Sequence, residues 1–187
     1  PYTNGNFTIT KLDTSVDGYE TIQIKFDTKA NASNVYALFG NSESILSCPA
    51  SYQIDEPFGV DVGGINTAFF NTSPQSQFDS WLTVGLTDGD SGGEISSIGI
   101  NFDEWTETRG LTANNGAVFW MNPDNGPSGS NIVLAQLTLP VSRPVTTFSG
   151  GLQGRSVTGE DWQEGFTLSI PAGTGQPQPQ LQPQPII

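Results

Sequence analysis

The sequence predicts an all-β fold: a single antiparallel β-sandwich or jelly-roll domain of about nine or ten short strands, followed by an extended C-terminal Pro/Gln tail. Three observations carry this. Apolar and polar residues alternate with period two in one segment after another. Connectors such as "TDGDSGG", "TANNG" and "NPDNGPSGS" punctuate these segments with turn chemistry. Only 13% of the residues are charged while Gly numbers 22, which suits turns and pleats and not amphipathic helices.

The elements follow in order. "NFTITKL" sets Phe7 and Ile9 on one face of a strand, and "YETIQIKFD" sets Ile22, Ile24 and Phe26 inward against Thr21, Gln23 and Lys25. "NVYALFG" follows after a polar turn. The stretch from about 47 to 77, with "DEPFGVDVGG" and "FFNTSPQSQ", has no clear period and reads as long loops with one or two strands crossing the sandwich. Strand patterns resume in residues 80–88, 94–102, 116–121, 131–140, 145–154 and 164–171. "FDEWTETRGL", with an acidic start and a closing Gly110, has the signature of a single helical turn. A chain of 187 residues fits one domain, assigned to 1–171, with 172–187 as the tail.

Composition removes several function classes. The net charge is −13, and the cations are Lys11, Lys25, Lys29, Arg109, Arg143 and Arg155, so nothing in the chain resembles a phosphate-binding surface; nucleic acid is not an expected partner. No apolar run approaches the roughly 20 residues of a membrane helix, and no membrane insertion is expected. A start at Pro1, with neither an initiator Met nor a tag, leads to the expectation of a processed, secreted protein of the cell surface or matrix. The lone Cys48 offers no internal disulfide and reads as a small buried hydrophobe.

The chain has no His, which removes the commonest general base and the triads built on it. What remains for catalysis is a carboxylate pair of the glycosidase kind, from Asp103, Glu104 and Glu107 or from Glu160, Asp161 and Glu164, each set beside a Trp. Solvated loop acids beside a partly buried Trp explain both sets more simply than catalysis, and a non-enzymatic role is expected. Among metals, calcium fits best: Asp88, Asp90 and Glu94 alternate through a Gly-rich turn, so their oxygens can converge as hard-cation ligands. Asp55, Glu56 and Asp61 form a second acidic loop. No other cofactor is implied. Trp105 and Trp162 lie in acidic segments and are candidates for a sugar or partner contact, whereas Trp81 and Trp120 lie in strand patterns and read as core. The sequons at Asn6, Asn31 and Asn71 are candidate glycosylation sites.

The tail has a parity of its own. Pro177, Pro179, Leu181, Pro183 and Pro185 alternate with Gln178, Gln180, Gln182 and Gln184. In an extended strand, alternate residues direct their N–H and C=O groups to opposite edges. The Gln row would therefore pair fully along one edge, while the Pro row lacks donors along the other. Ile186 and Ile187 could fill an apolar pocket at the far end. Polyproline II is the competing conformation, and in it the Pro residues do not share a face. The leading expectation is an extracellular structural subunit, a glycoprotein by the placement of its sequons near predicted strand ends and loops, that joins copies of itself head-to-tail through this segment into a filament or surface layer. The alternative is a glycan-binding or calcium-dependent adhesion module, with a glycoside hydrolase third.

Overall fold

A computed structural model describes residues 1–175; the expected connector, residues 176–187, lies outside the described residues. The structure is an all-β sandwich of two antiparallel sheets. Its strands are β1 (Tyr2–Asn4), β2 (Phe7–Lys11), β3 (Tyr19–Phe26), β4 (Ala37–Gly40), β5 (Leu46–Cys48), β6 (Trp81–Leu82), β7 (Ile95–Ile98), β8 (Leu111–Ala113), β9 (Gly116–Trp120), β10 (Ile132–Pro140), β11 (Thr146–Arg155) and β12 (Asp161–Ile170).

The first sheet has the order β1-β2-β3-β10-β6. Ile22, Ile24 and Phe26 of β3 face inward as their alternation requires, and β10 pairs with β3 from Pro140↔Tyr19 to Ile132↔Phe26. In the second sheet β11 is the hub. Residues 151–153 pair with β4 on one edge while the whole of β11 pairs with β12 on the other, Thr146↔Ile170 to Arg155↔Asp161. Beyond β4 lie β9 and β7, and beyond β5, which meets β11 at Ser149, lies β8. Leu38, Leu82, Leu134, Leu137, Phe148 and Ile24 are wholly buried between the sheets.

The unpatterned stretch is a cover. β10 is buried on both faces along "IVLAQLTL" because residues 52–80 lie over its outer side. Tyr52 N–H donates to the Thr138 carbonyl (2.8 Å), and Gln136 Nε2 donates to the carbonyls of Gln77 and Asp79 (3.0 and 2.8 Å). Ile65, Trp81 and Val133 make a second small core beneath it. Two 3-10 helices, Thr67–Asn71 and Pro74–Phe78, shape the cover. "FDEWTETRGL" holds one short helical turn, Phe102–Glu104, of the 3-10 type. β1 and β8, three residues each, are too short for periodicity to register.

Candidate functional site

β12 is an edge strand ten residues long. Its even-numbered residues, Trp162, Glu164, Phe166, Leu168 and Ile170, share the inward-parity face, on which Glu164 alone is exposed; Gln163, Thr167 and Ser169 are exposed on the other face. One edge pairs with β11 throughout; the other has no strand partner among the described residues. That outer edge borders the open flank of the sandwich, where β12 approaches β2 and β3 of the opposite sheet.

Aromatic rings bridge this gap. Phe166 lies 4.8 Å from Phe7 and 5.2 Å from Phe148, Phe7 lies 5.2 Å from Phe26, and Trp162 lies 6.4 Å from Phe26, measured between ring centroids. The Trp162 indole N–H donates to the carbonyls of Asn34 (3.1 Å) and Arg155 (3.0 Å), which fixes the ring. Two adjoining hollows open along the flank. The first, about 180 Å³, is lined by Phe26, Lys29, Asn31, Ala32 and Trp162; the second, about 260 Å³, by residues 4–7 with Phe166 and Leu168. Phe26, Lys29 and Glu164 belong to both. Glu164, inward-facing on an otherwise apolar row, pairs with Lys29, so the charges at the junction neutralise each other.

The opposite end of β12 leads to the root of the tail. Residues 171–175 keep the register of β12: Gly173 N–H donates to the Arg143 carbonyl (3.0 Å) and Gly175 N–H to the Val141 carbonyl (3.1 Å), each pair continuing the Thr146↔Ile170 alignment. The register of β12 therefore continues past Ile170 to Gly175, with a bend at Thr174. A Cβ at Gly173 would overlap the Val141 carbonyl, so only Gly allows this approach. The root rests on a buried ion cluster. Glu20 accepts from Arg143 (2.6 Å) and Lys11 (2.6 Å), Thr174 Oγ1 donates to Glu20 (3.2 Å), and Arg143 also donates to the carbonyls of Pro140 (3.2 Å) and Pro171 (3.1 Å). Burial alone would raise the Glu20 carboxyl, but hydrogen bonds and charge from Lys11 and Arg143 hold it below the ordinary range.

A third feature is an acidic cleft of about 560 Å³, to which Asp55, Glu56, Asp61, Asp103 and Glu107 contribute. Burial raises the Asp61 carboxyl, with Glu56 and Asp103 adding to the rise. Behind it, Asp79 is fully buried and accepts from the amides of Ile54 and Val60, both at 2.8 Å, tying down the 54–60 loop. Burial pushes Asp79 up to about 7 against the pull of those amides.

The other sequence candidates are distributed as follows. Trp105 is 3% exposed and donates its indole N–H to the Pro49 carbonyl (2.9 Å); it belongs to the main core and offers no stacking face, which corrects its reading as a surface ring. The acidic segment around it suggested exposure because Asp103 and Glu104 are exposed while the ring alone turns inward. Both carboxylate oxygens of Asp90 accept backbone amides, from Glu94 (2.8 Å) and Ile95 (3.0 Å), closing the turn before β7. Asp88 and Glu94 are exposed, and no cluster of three or more His, Cys, Asp or Glu able to hold a metal occurs among the described residues. Glu104 pairs with Arg109 (3.0 Å) and Asp161 with Arg155 (2.5 Å) as surface ion pairs, and Glu160 is exposed. Asn31 and Asn71 are exposed, whereas Asn6 is half-buried and donates Nδ2 to the Asp27 carbonyl (2.8 Å). Cys48 is buried beside Leu46 and Leu111, and burial raises its thiol far above the ordinary value.

Sequence reasoning missed Lys29, Phe166, Glu20 and Arg143 as site residues. Glu20 and Glu164 carry a readable signal, each being the one acid at an inward parity position of an alternating strand. No known protein family matches this chain, and neither does any curated protein or solved structure.

Proposed function

We propose that this chain is a non-enzymatic structural protein of the cell exterior, a subunit that joins copies of itself head-to-tail into a filament or surface layer through residues 176–187. The observation that carries the reading is polarity. The tail root is pinned at one pole by Glu20 and Arg143 and is still bonded in the β12 register at Gly175, while the unpaired β12 edge and its aromatic hollows begin toward the other pole at Asp161 and Trp162. A connector leaving one pole and a long unpaired edge opening at the other form a heterologous pair of surfaces, which generates open chains or rings and not closed dimers. The lack of His and the inert, buried Cys48 support a role without nucleophilic or imidazole chemistry. Exposed Asn71, away from the flank hollows, is compatible with a glycan on such a subunit.

The test compares the full chain with one truncated after Gly175, by native mass measurement and negative-stain microscopy at micromolar concentration. Oligomers of the full chain that vanish on truncation are the expected outcome. A full chain that stays monomeric across that range refutes the proposal.

A further inference from the structure

Resting on that reading, we infer that the acceptor is the outer edge of β12 in a second copy, and that the donor segment 176–187 adds there as a strand parallel to β12. Three observations converge. At Gly175 the described chain is still bonded in the β12 register, at the pole opposite Asp161, through the amides of Gly173 and Gly175. The lengths agree: twelve residues extend about 40 Å and the ten of β12 about 33 Å at roughly 3.3 Å per residue.

The chemistry also agrees. Odd positions from Pro177 to Ile187 are all apolar, and even positions from Gln176 to Gln184 are all Gln. As a strand, the segment would set Pro177, Pro179, Leu181, Pro183, Pro185 and Ile187 on one face, over Trp162, Phe26, Phe7 and Phe166. The Gln backbones would supply every N–H needed by β12, and the Pro positions would leave the new edge short of donors, so that a further strand could not pair with it. Lys29 and Glu164 already neutralise each other where the docked row would cover them. The direction follows from head-to-tail stacking. Copies in one orientation send the donor in at the Asp161 end and on toward Ile170, the direction of β12 itself.

Disulfide trapping tests this in the full chain, with the buried Cys48 left in place. Gln163 and Ser169 are exposed on β12, so cysteines there and on the Gln row leave the core intact. Parallel addition pairs Gln178→Cys on one copy with Gln163→Cys on another, and Gln184→Cys with Ser169→Cys. Each mixture is expected to shift from one-chain to two-chain mobility in non-reducing gels. Trapping in the exchanged combinations, Gln178→Cys with Ser169→Cys and Gln184→Cys with Gln163→Cys, overturns the parallel direction. Closure within one chain, when both cysteines are placed on it, overturns the second-copy occupant.

A pair of backbone variants separates strand from polyproline docking. Gln180→Pro with Gln182→Pro removes two donors and is expected to abolish assembly, while Gln180→Ala with Gln182→Ala keeps it. Assembly that survives the Pro pair overturns strand addition. Oligomers that persist while no β12 cysteine is trapped sink this acceptor and leave the head-to-tail reading standing; loss of all assembly by the unmodified chain sinks both.

Discussion

Replacing Arg143 by Met tests whether the tail root is held by charge buried at the pole. The side chains of Glu20 and Arg143 are 5% and 8% exposed and meet at 2.6 Å, so removing the guanidinium leaves a carboxylate with little access to water. Breaking a buried pair from one side typically costs about 3–5 kcal/mol, most of it the desolvated charge left behind. Lys11, half-exposed and 2.6 Å from the same carboxylate, retains part of the pairing, which places the expected loss near the lower end, about 3 kcal/mol. For a domain of this size that is a fall of roughly 6–12 °C in Tm. Glu20 titrates below its ordinary value in the folded state, so its contribution is present above the unfolded pKa and disappears as pH falls through the folded one. The gap between wild type and Arg143→Met should accordingly be full at pH 7 and close at acid pH. Urea unfolding at both pH values, with hydrogen exchange at the Gly173 and Gly175 amides, reads it. The double variant Glu20→Gln/Arg143→Met should recover part of the loss, because neither charge is then stranded. A neutral-pH loss under about 1 kcal/mol, or a double variant no better than the single, would refute the reasoning.

Asp79 gives the opposite pH sign: its folded pKa lies near 7, above the ordinary carboxylate value, so the stability it confers is complete below the unfolded pKa and is lost as pH rises through 7. Asp79→Asn should flatten that slope in denaturation midpoints and, by setting an NH₂ against the Ile54 or Val60 amide, cost about 1–3 kcal/mol and speed proteolysis within 54–60. Trp105→Ala should destabilise by about 3–5 kcal/mol as a core cavity, measured by thermal unfolding; an unchanged Tm would return the ring to the surface. Expressed through a eukaryotic secretory route, the chain should carry a glycan at Asn71 in preference to Asn6, whose side-chain amide is already bonded to Asp27, and to Asn31, which lines the flank hollow that a docked strand would cover; site-resolved mass spectrometry decides, and occupancy of Asn6 or Asn31 without Asn71 contradicts the ranking.

What was legible in the sequence is what period two encodes. β3 announces its inward face because a residue every second position meets the core, whereas β10, buried on both faces, reads as an apolar run, and β12 was legible only from residue 164, its first residues, Asp161–Gln163, having read as an acidic segment. The cover at 52–80 was legible only as an absence of pattern. Its order comes from tertiary bonds, such as Asp79 to the 54–60 amides and Gln136 to two carbonyls, which join residues far apart in the chain. Trp105 misled for a related reason. Burial belongs to the side chain and polarity to the segment, and a 3-10 turn can expose Asp103 and Glu104 while sending the next ring inward. Asp90 shows what spacing leaves unsaid: in a Gly-rich turn backbone amides also seek carboxylate oxygens, and those of Glu94 and Ile95 reach Asp90 here.

The flank was legible in halves. The sequence shows a donor row in 176–187 but not the row that would receive it, because Phe7, Phe26, Trp162 and Phe166 come from three strands that only the sandwich brings together. Proteins usually shield a ten-residue edge with Pro, bulges or charges, since unpaired N–H and C=O groups invite any strand. β12 has no Pro, and its register with β11 runs unbroken from Asp161 to Ile170. Its inward shield is Glu164, whose charge Lys29 offsets, so the edge is guarded against an indiscriminate apolar strand yet open to one that buries no further charge. A Pro/Gln segment meets that condition and closes the edge behind itself. The Lys29→Glu variant should turn the guard into two facing carboxylates and weaken self-association, and adding Glu164→Lys, which restores the opposite pair in reverse, should recover it. Sedimentation velocity of the single and double variants reads this, and association unchanged in Lys29→Glu would remove Glu164 and Lys29 from the docking surface.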